Sequence, residues 1–218
     1  MLNTPTPRRS FVAQLSAGAA ALLAGRAALA HAEVRPGTAD AIDPWVAKVR
    51  GKYRQVFDAV SPNEGLGAAF ALNFIDSATK AHKLTPGDVS AVLVLRHMAM
   101  PLALNDAAWA KYHIGEMLNV TDPSTKAPAT RNIYRTNIMM RPGLSYEEMA
   151  AKRGVVITAC GMALTLLAGM MAEKMKMDPA ATEADWKASI IPGAYVAPSG
   201  VYAVNRAQQA GCTYCYAG

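Results

Sequence analysis

Three cysteines stand where chemistry is possible. Cys160 closes the apolar run "GVVITAC" and is followed by Gly161 and a helix-patterned segment, "GMALTLLAG". A thiol at a strand-to-helix junction lies in the partial positive charge of a helix N-terminus, which favours thiolate, the nucleophilic form. His97 closes a second apolar run, "VSAVLVLRH", where an imidazole could serve a thiolate as electrostatic or proton partner. Both residues also have an ordinary structural reading. Cysteine is among the most buried residue types, and a strand-end histidine often only bonds backbone. Cys212 and Cys215 lie in "GCTYC". Three roles are open to them: a disulfide, half of a metal site completed by Cys160 and His97, or a thiol that resolves a persulfide or disulfide on Cys160. If 212–215 is extended, the two side chains lean to opposite faces, which disfavours a local disulfide and a shared metal alike. Metal is therefore not the favoured reading. The twelve methionines lack dense M-x-x-M repeats and read as core and interface filler rather than as copper ligands.

Elements must position these groups. "RQVFDAV" (54–60) is a strand candidate, "SPNEG" (61–65) a turn, and "LGAAFALNFIDSATKAHK" (66–83) carries apolar residues at helical spacing. "TPGD" (85–88) breaks the chain, and 89–97 has no polar alternation, as a strand buried on both faces requires. Residues 101–118 read as helical, with Asn105 or Asp106 near the first turn. The polar stretch 119–143 reads as an insertion or long loop, a possible lid or oligomer contact. Helix 145–153 opens with Ser145 and Glu148 in capping-box spacing. Strand 154–160, helix 161–175, helix 182–190, strand 194–198 and helix 199–211 complete the pattern. His82 and His113 fall on helices and read as solvent-facing. Alternating apolar strands and helices predict an α/β three-layer sandwich around a mainly parallel sheet. Ligands of such sheets bind beyond the carboxyl ends of the strands. That edge should receive Ser61 and Asn63, then Arg96 and His97, then Cys160, then Pro198 and Ser199.

The N-terminal segment predicts export. Arg8 and Arg9 precede Phe11 and Val12 in twin-arginine order, a mildly apolar run follows, and "AHA" (30–32) offers a cleavage site. This divides the chain into a signal, 1–32, and a mature domain, 33–218, expected in the periplasm. Removing Arg8, Arg9 and Arg26 takes 22 basic and 16 acidic residues to 19 and 16, so much of the positive charge belongs to the signal. No basic run is interleaved with aromatics, which argues against nucleic acid. Val155–Ala172 has no charge, but its β-branched start, Gly161 and the lack of flanking aromatics favour a strand feeding a helix over a membrane span.

"RGVVITACGMAL", followed by "IPGAYVAPSGVYAVNRAQQAGCTYCYAG", resembles the DsrE/DsrF-like sulfur-relay family, and "VSAVLVLRHMAMPLAL" resembles that family's preceding strand. The likeness covers most of 53–218 outside 119–143. It implies a flavodoxin-like α/β fold, a homo-oligomer, and a persulfide carried on the strand-end cysteine, here Cys160, with no other cofactor. The sulfur donor and the acceptor thiol are not implied. Two departures stand out: the chain is marked for export, and His97 is followed by Met98 where the family often has glycine.

Overall fold

A computed structural model describes residues 43–85, 87–139 and 141–218. The expected signal, 1–32, and the start of the expected mature chain lie outside the described residues. Five parallel strands form the main sheet: β1 (Tyr53–Ala59), β2 (Val89–Leu95), β5 (Val155–Cys160), β6 (Ala194–Ala197) and β7 (Thr213–Tyr216). Their order across the sheet is β6-β5-β2-β1-β7. A two-stranded ribbon, β3 (Asn137–Ile138) with β4 (Arg141–Pro142), lies in the insertion. The helices are α1 (Leu66–His82), α2 (Asp106–Lys111), α3 (Ile114–Met117), α4 (Tyr146–Lys152), α5 (Gly161–Met175), α6 (Pro179–Ala188) and α7 (Gly200–Gln209).

Why the strands are apolar follows from the layers. Every residue of β2 and of β5 is buried, because both faces are covered. On one face Phe57, Ala59, Leu93, Leu95, Ile157 and Ala159 pack against α1 and α5. On the other, Val56, Val92, Val94 and Val156 pack against Ala203 and Ala207 of α7 and against Trp45 and Val49. The three layers are those of the flavodoxin-like class. Counted in chain order, the main strands run 4-3-2-1-5, so here the last strand, not the second, lies beyond the first. The uncharged stretch Val155–Ala172 is divided between β5 and α5. Among the described residues no helix is long and apolar enough to cross a membrane.

One expectation needs correction. Residues 101–118 are not one helix. A 3-10 segment, His97–Ala103, contains Pro101, whose missing N–H suits a short irregular turn. Asn105 then caps α2 through Ala108 N–H, and His113, with φ 47°, breaks the chain before α3. The insertion 119–143 is largely irregular, as read, and it is anchored to the rest of the domain. Asn132 is 1 % exposed, and its Nδ2 donates to the carbonyls of Leu102 and Leu104 at 2.8 and 2.9 Å.

Leu93, in the middle of β2, is 0 % exposed. Leu93→Ala should cost about 2–5 kcal/mol through lost burial and a residual cavity, read as a lowered urea midpoint. An unchanged midpoint would mean the core is not centred there.

Candidate functional site at the carboxyl edge of the sheet

Adjacent strands β5 and β6 send their helices to opposite faces: α5 joins the first core cluster and α7 the second. Such a divergence opens a crevice at the carboxyl ends of the two strands. The helices still touch, and their first residues pack closely on the neighbouring strand ends. A Cβ on Gly161 would come within 2.8 Å of the Ala197 carbonyl oxygen, and a Cβ on Gly200 within 2.3 Å of Arg96 Cβ.

Cys160 stands at this divergence. It is the last residue of β5, paired with Ala197, and the N-cap of α5. Its Sγ accepts a hydrogen bond from Ala163 N–H at 3.3 Å. The residue is 6 % exposed, so the thiol is buried at the strand end rather than on the surface.

Arg96 is the next group. β2 pairs with β5 through Leu95 and Ala159, so Arg96 and Cys160 follow on neighbouring strands. The Arg96 guanidinium forks onto Asp58: Nε donates to Oδ1 at 2.6 Å and Nη2 to Oδ2 at 2.9 Å. Tyr214 Oη donates to the same carboxylate at 2.9 Å. The Arg96 side chain is 28 % exposed and that of Asp58 4 %. The hydrogen bonds to Asp58 raise the basicity of Arg96 above its ordinary value, with Tyr214 and Cys160 as lesser contributors. Burial, with the bond to Asp58, raises the Tyr214 phenol, so Tyr214 remains the donor.

Asp58 and Tyr214 were not singled out from sequence. The signal for Asp58 was an acid inside "VFDAV", since a carboxylate in a buried strand needs a paired charge. Tyr214 gave none, because its partner lies 156 residues away.

The other predicted residues separate. His97 begins the 3-10 segment with φ 51°, and its side chain is exposed. Its segment touches β5 and α5, but among the described residues His97 makes no hydrogen bond to Cys160. Ser199 caps α7, its Oγ accepting from Tyr202 N–H at 3.3 Å. Asn63 lies two strands from Cys160, donating from Nδ2 to the Ala217 carbonyl at 3.2 Å and tying the end of β1 to β7.

Cys212 and Cys215 are free thiols on opposite faces of the sheet: Cys212 packs among the α7-side residues and Cys215 against the α1-side core. Between β7 and β5 lie two strands, hence three spacings or about 14 Å. A disulfide needs Cα atoms about 4.4–6.8 Å apart. Neither cysteine therefore reaches Cys160 within one chain of this fold. Burial also pushes the Cys212 thiol up to about 11, opposed by the nearby Arg54. Among the described residues no three His, Cys, Asp or Glu side chains converge as metal ligands.

A cleft of about 380 Å³ lies at the opposite, amino end of β5, lined by Lys48, Glu147, Gly154, Gly193 and Tyr195 among others. It does not include the residues of the Cys160 crevice.

No family model matches the sequence, and no curated protein matches it. Among solved structures, one described as a protein of unknown function, MTH1491 from Methanobacterium thermoautotrophicum, is similar at 18 % identity. The alignment covers 76 % of this chain and 99 % of that one, with a TM-score of 0.38. The fold assignment rests on the chain's own topology.

Two outcomes follow from the cysteine geometry. In native protein at pH 8, iodoacetamide should label Cys212 more slowly than Cys215, read by peptide mapping; equal rates would contradict the burial. Because the folded state holds the Cys212 proton more tightly than the unfolded chain does, its contribution to stability is complete below pH 9 and lost between 9 and about 11. Cys212→Ala should flatten that alkaline decline in urea midpoint; an identical decline in the variant would assign it elsewhere.

Proposed function

We propose that this protein is an exported, periplasmic carrier or transferase of sulfane sulfur, held as a persulfide on Cys160. The observation that carries the reading is the placing of that thiol. It ends a parallel strand, caps a 15-residue helix whose Ala163 N–H donates to Sγ, and neighbours a guanidinium. Strand-to-helix junctions of this kind are common settings for reactive cysteines. The resemblance to the DsrE/DsrF-like pattern points to the same residue.

The chemistry needs no further cofactor. The Cys160 thiolate attacks a sulfane sulfur, the donor's S–S bond breaks, and the donor remnant departs with the electron pair. An acceptor thiolate then attacks the outer sulfur and returns Cys160 as thiolate. His97, exposed beside the crevice, is the candidate proton partner for the leaving group. Cys212 and Cys215 act as resolving thiols only if supplied by another copy. A homo-oligomer is part of the proposal, supported by Met162, Leu166 and Met170, which stand more than 60 % exposed along one face of α5.

A second reading is supported by the 6 % exposure of Cys160: a non-catalytic protein that binds a small ligand or metal in the same crevice, its thiol serving as packing. One experiment separates the two. Wild-type protein incubated with inorganic polysulfide should gain reducible sulfur on the Cys160 peptide, and Cys160→Ser should lose that gain while Cys215→Ser keeps it. Equal loading of wild type and Cys160→Ser would eliminate the carrier reading.

A further inference from the structure

The amino edge of the sheet is incomplete beside β5. β2 pairs with β5 from Val155 onward, but β6 begins only opposite Ile157. Among the described residues, Gly154, Val155 and Val156 therefore have no strand neighbour on the β6 side, and they floor the cleft of about 380 Å³. The walls come from both faces of the sheet. Glu147, Ala150 and Ala151 of α4 enter from the first face, where Tyr146 and Met149 of the same helix join the core. Lys48 and Tyr195 enter from the second face, beside Trp45 and Val49. Arg135 donates to Glu147 Oε1 from Nε and Nη2, each at 2.6 Å. Glu147 Oε2 is shut off from water and accepts no hydrogen bond. On the opposite wall, Lys48 holds its ammonium 5.1 Å from the centre of the Tyr195 ring and meets no carboxylate among the described residues. Arg50 is exposed and likewise meets no acid; its backbone N–H donates to Ser90 Oγ, which donates back to the Arg50 carbonyl. Ser90 precedes Ala91, the partner of Val155, so Arg50 is moored at the Gly154 end of β5.

We propose that this cleft binds a small amphipathic carboxylate whose far end carries a hydrogen-bond donor, as in a hydroxyaryl acid. Each part of that description answers a feature of the walls. The carboxylate meets Lys48 through a charge-assisted hydrogen bond, with Arg50 adding positive charge nearby. The apolar body lies along Ala150, Ala151, Val155, Val156 and Pro192 and against the Tyr195 ring. The donor supplies the bond that Glu147 Oε2 lacks, and a buried acceptor left unmet is costly. Lys48 and Glu147 enter from opposite faces, which keeps the ligand's negative charge away from Glu147, and Arg135 answers the charge of Glu147 itself. Size sets the limit. A volume of about 380 Å³ is near the lower end of ligand cavities, roughly 300–1,000 Å³, so a dinucleotide cofactor does not fit. The site is at the other end of β5 from Cys160 and does not rest on the carrier reading.

The test uses three matched probes: 4-hydroxyphenylacetate, phenylacetate, which lacks the donor, and tyramine, which replaces the carboxylate by an ammonium. Titration calorimetry of the full protein should give one 4-hydroxyphenylacetate per chain, with a Kd of about 1 mM or tighter. Phenylacetate should bind about 5- to 20-fold more weakly, and tyramine should show no saturable binding. Lys48→Gln should weaken 4-hydroxyphenylacetate about 3- to 10-fold. Ala151 is exposed on α4, so Ala151→Phe fills the cleft from its surface side; it should abolish binding and leave the urea midpoint unchanged. Should Ala151→Phe fail to fold, the exposed Lys48→Gln answers alone. No saturable binding of 4-hydroxyphenylacetate by wild type up to about 10 mM overturns the proposal. So does binding indifferent to both substitutions, which would place it elsewhere on the molecule. Equal binding of phenylacetate or of tyramine overturns the ligand class, because the donor or the carboxylate would then be unread.

Discussion

A parallel sheet buried on both faces constrains everything else here. Each connection must cross over, and crossovers are right-handed. β1, β2, β5 and β6 are laid down in one direction, so the three segments joining them fall on one face, in a single core cluster. β7 pairs on the far side of β1, so the chain must return across the whole sheet, and α7 covers the other face. The divergence of α5 and α7 from neighbouring strands is a consequence of that return. The Cys160 crevice lies where the divergence begins.

The same return brings a charge network together. β7 carries Tyr214 alongside β1, whose Asp58 is almost fully buried, and Asp58 in turn holds Arg96 at the end of β2. A buried ion pair gives little net stability over apolar packing, but removing one partner leaves an unpaired buried charge, which is costly. The pair is better understood as a device of position than as a source of stability. It fixes a cation at the carboxyl edge, one strand from a thiol, in a part of the sheet otherwise built from Val, Leu and Ala.

Much of this was legible in the sequence, and the reasons are physical. "VSAVLVL" and "VVITAC" read as strands covered on both faces, since they are short, rich in β-branched residues and apolar apart from Ser90, Thr158 and Cys160. Ser145 and Ser199 marked helix starts that the structure confirms as caps. Cys160 at a strand end, and the opposite facing of Cys212 and Cys215, followed from the period of two in a strand. The 101–118 segment failed as a single helix because an apolar run looks alike whether it bends or not. Pro101 was the available warning, and the turn at His113 had none. Asp58 was overlooked because its partners lie far along the chain, although an acid within an apolar strand already demanded one. The separation of Asn63, Cys212 and Cys215 from Cys160 depended on strand order, which local pattern does not encode.

The central claim is the proposal that this is an exported protein that carries sulfur on Cys160. The most direct test is the intact mass of protein isolated from the periplasm without reductant, before and after reduction, with alkylated peptides mapped. The account predicts a reducible excess of one or more sulfur atoms on the Cys160 peptide. A plain Cys160 thiol that carries no added sulfur and resists alkylation in the native fold would contradict it and make that residue part of the core.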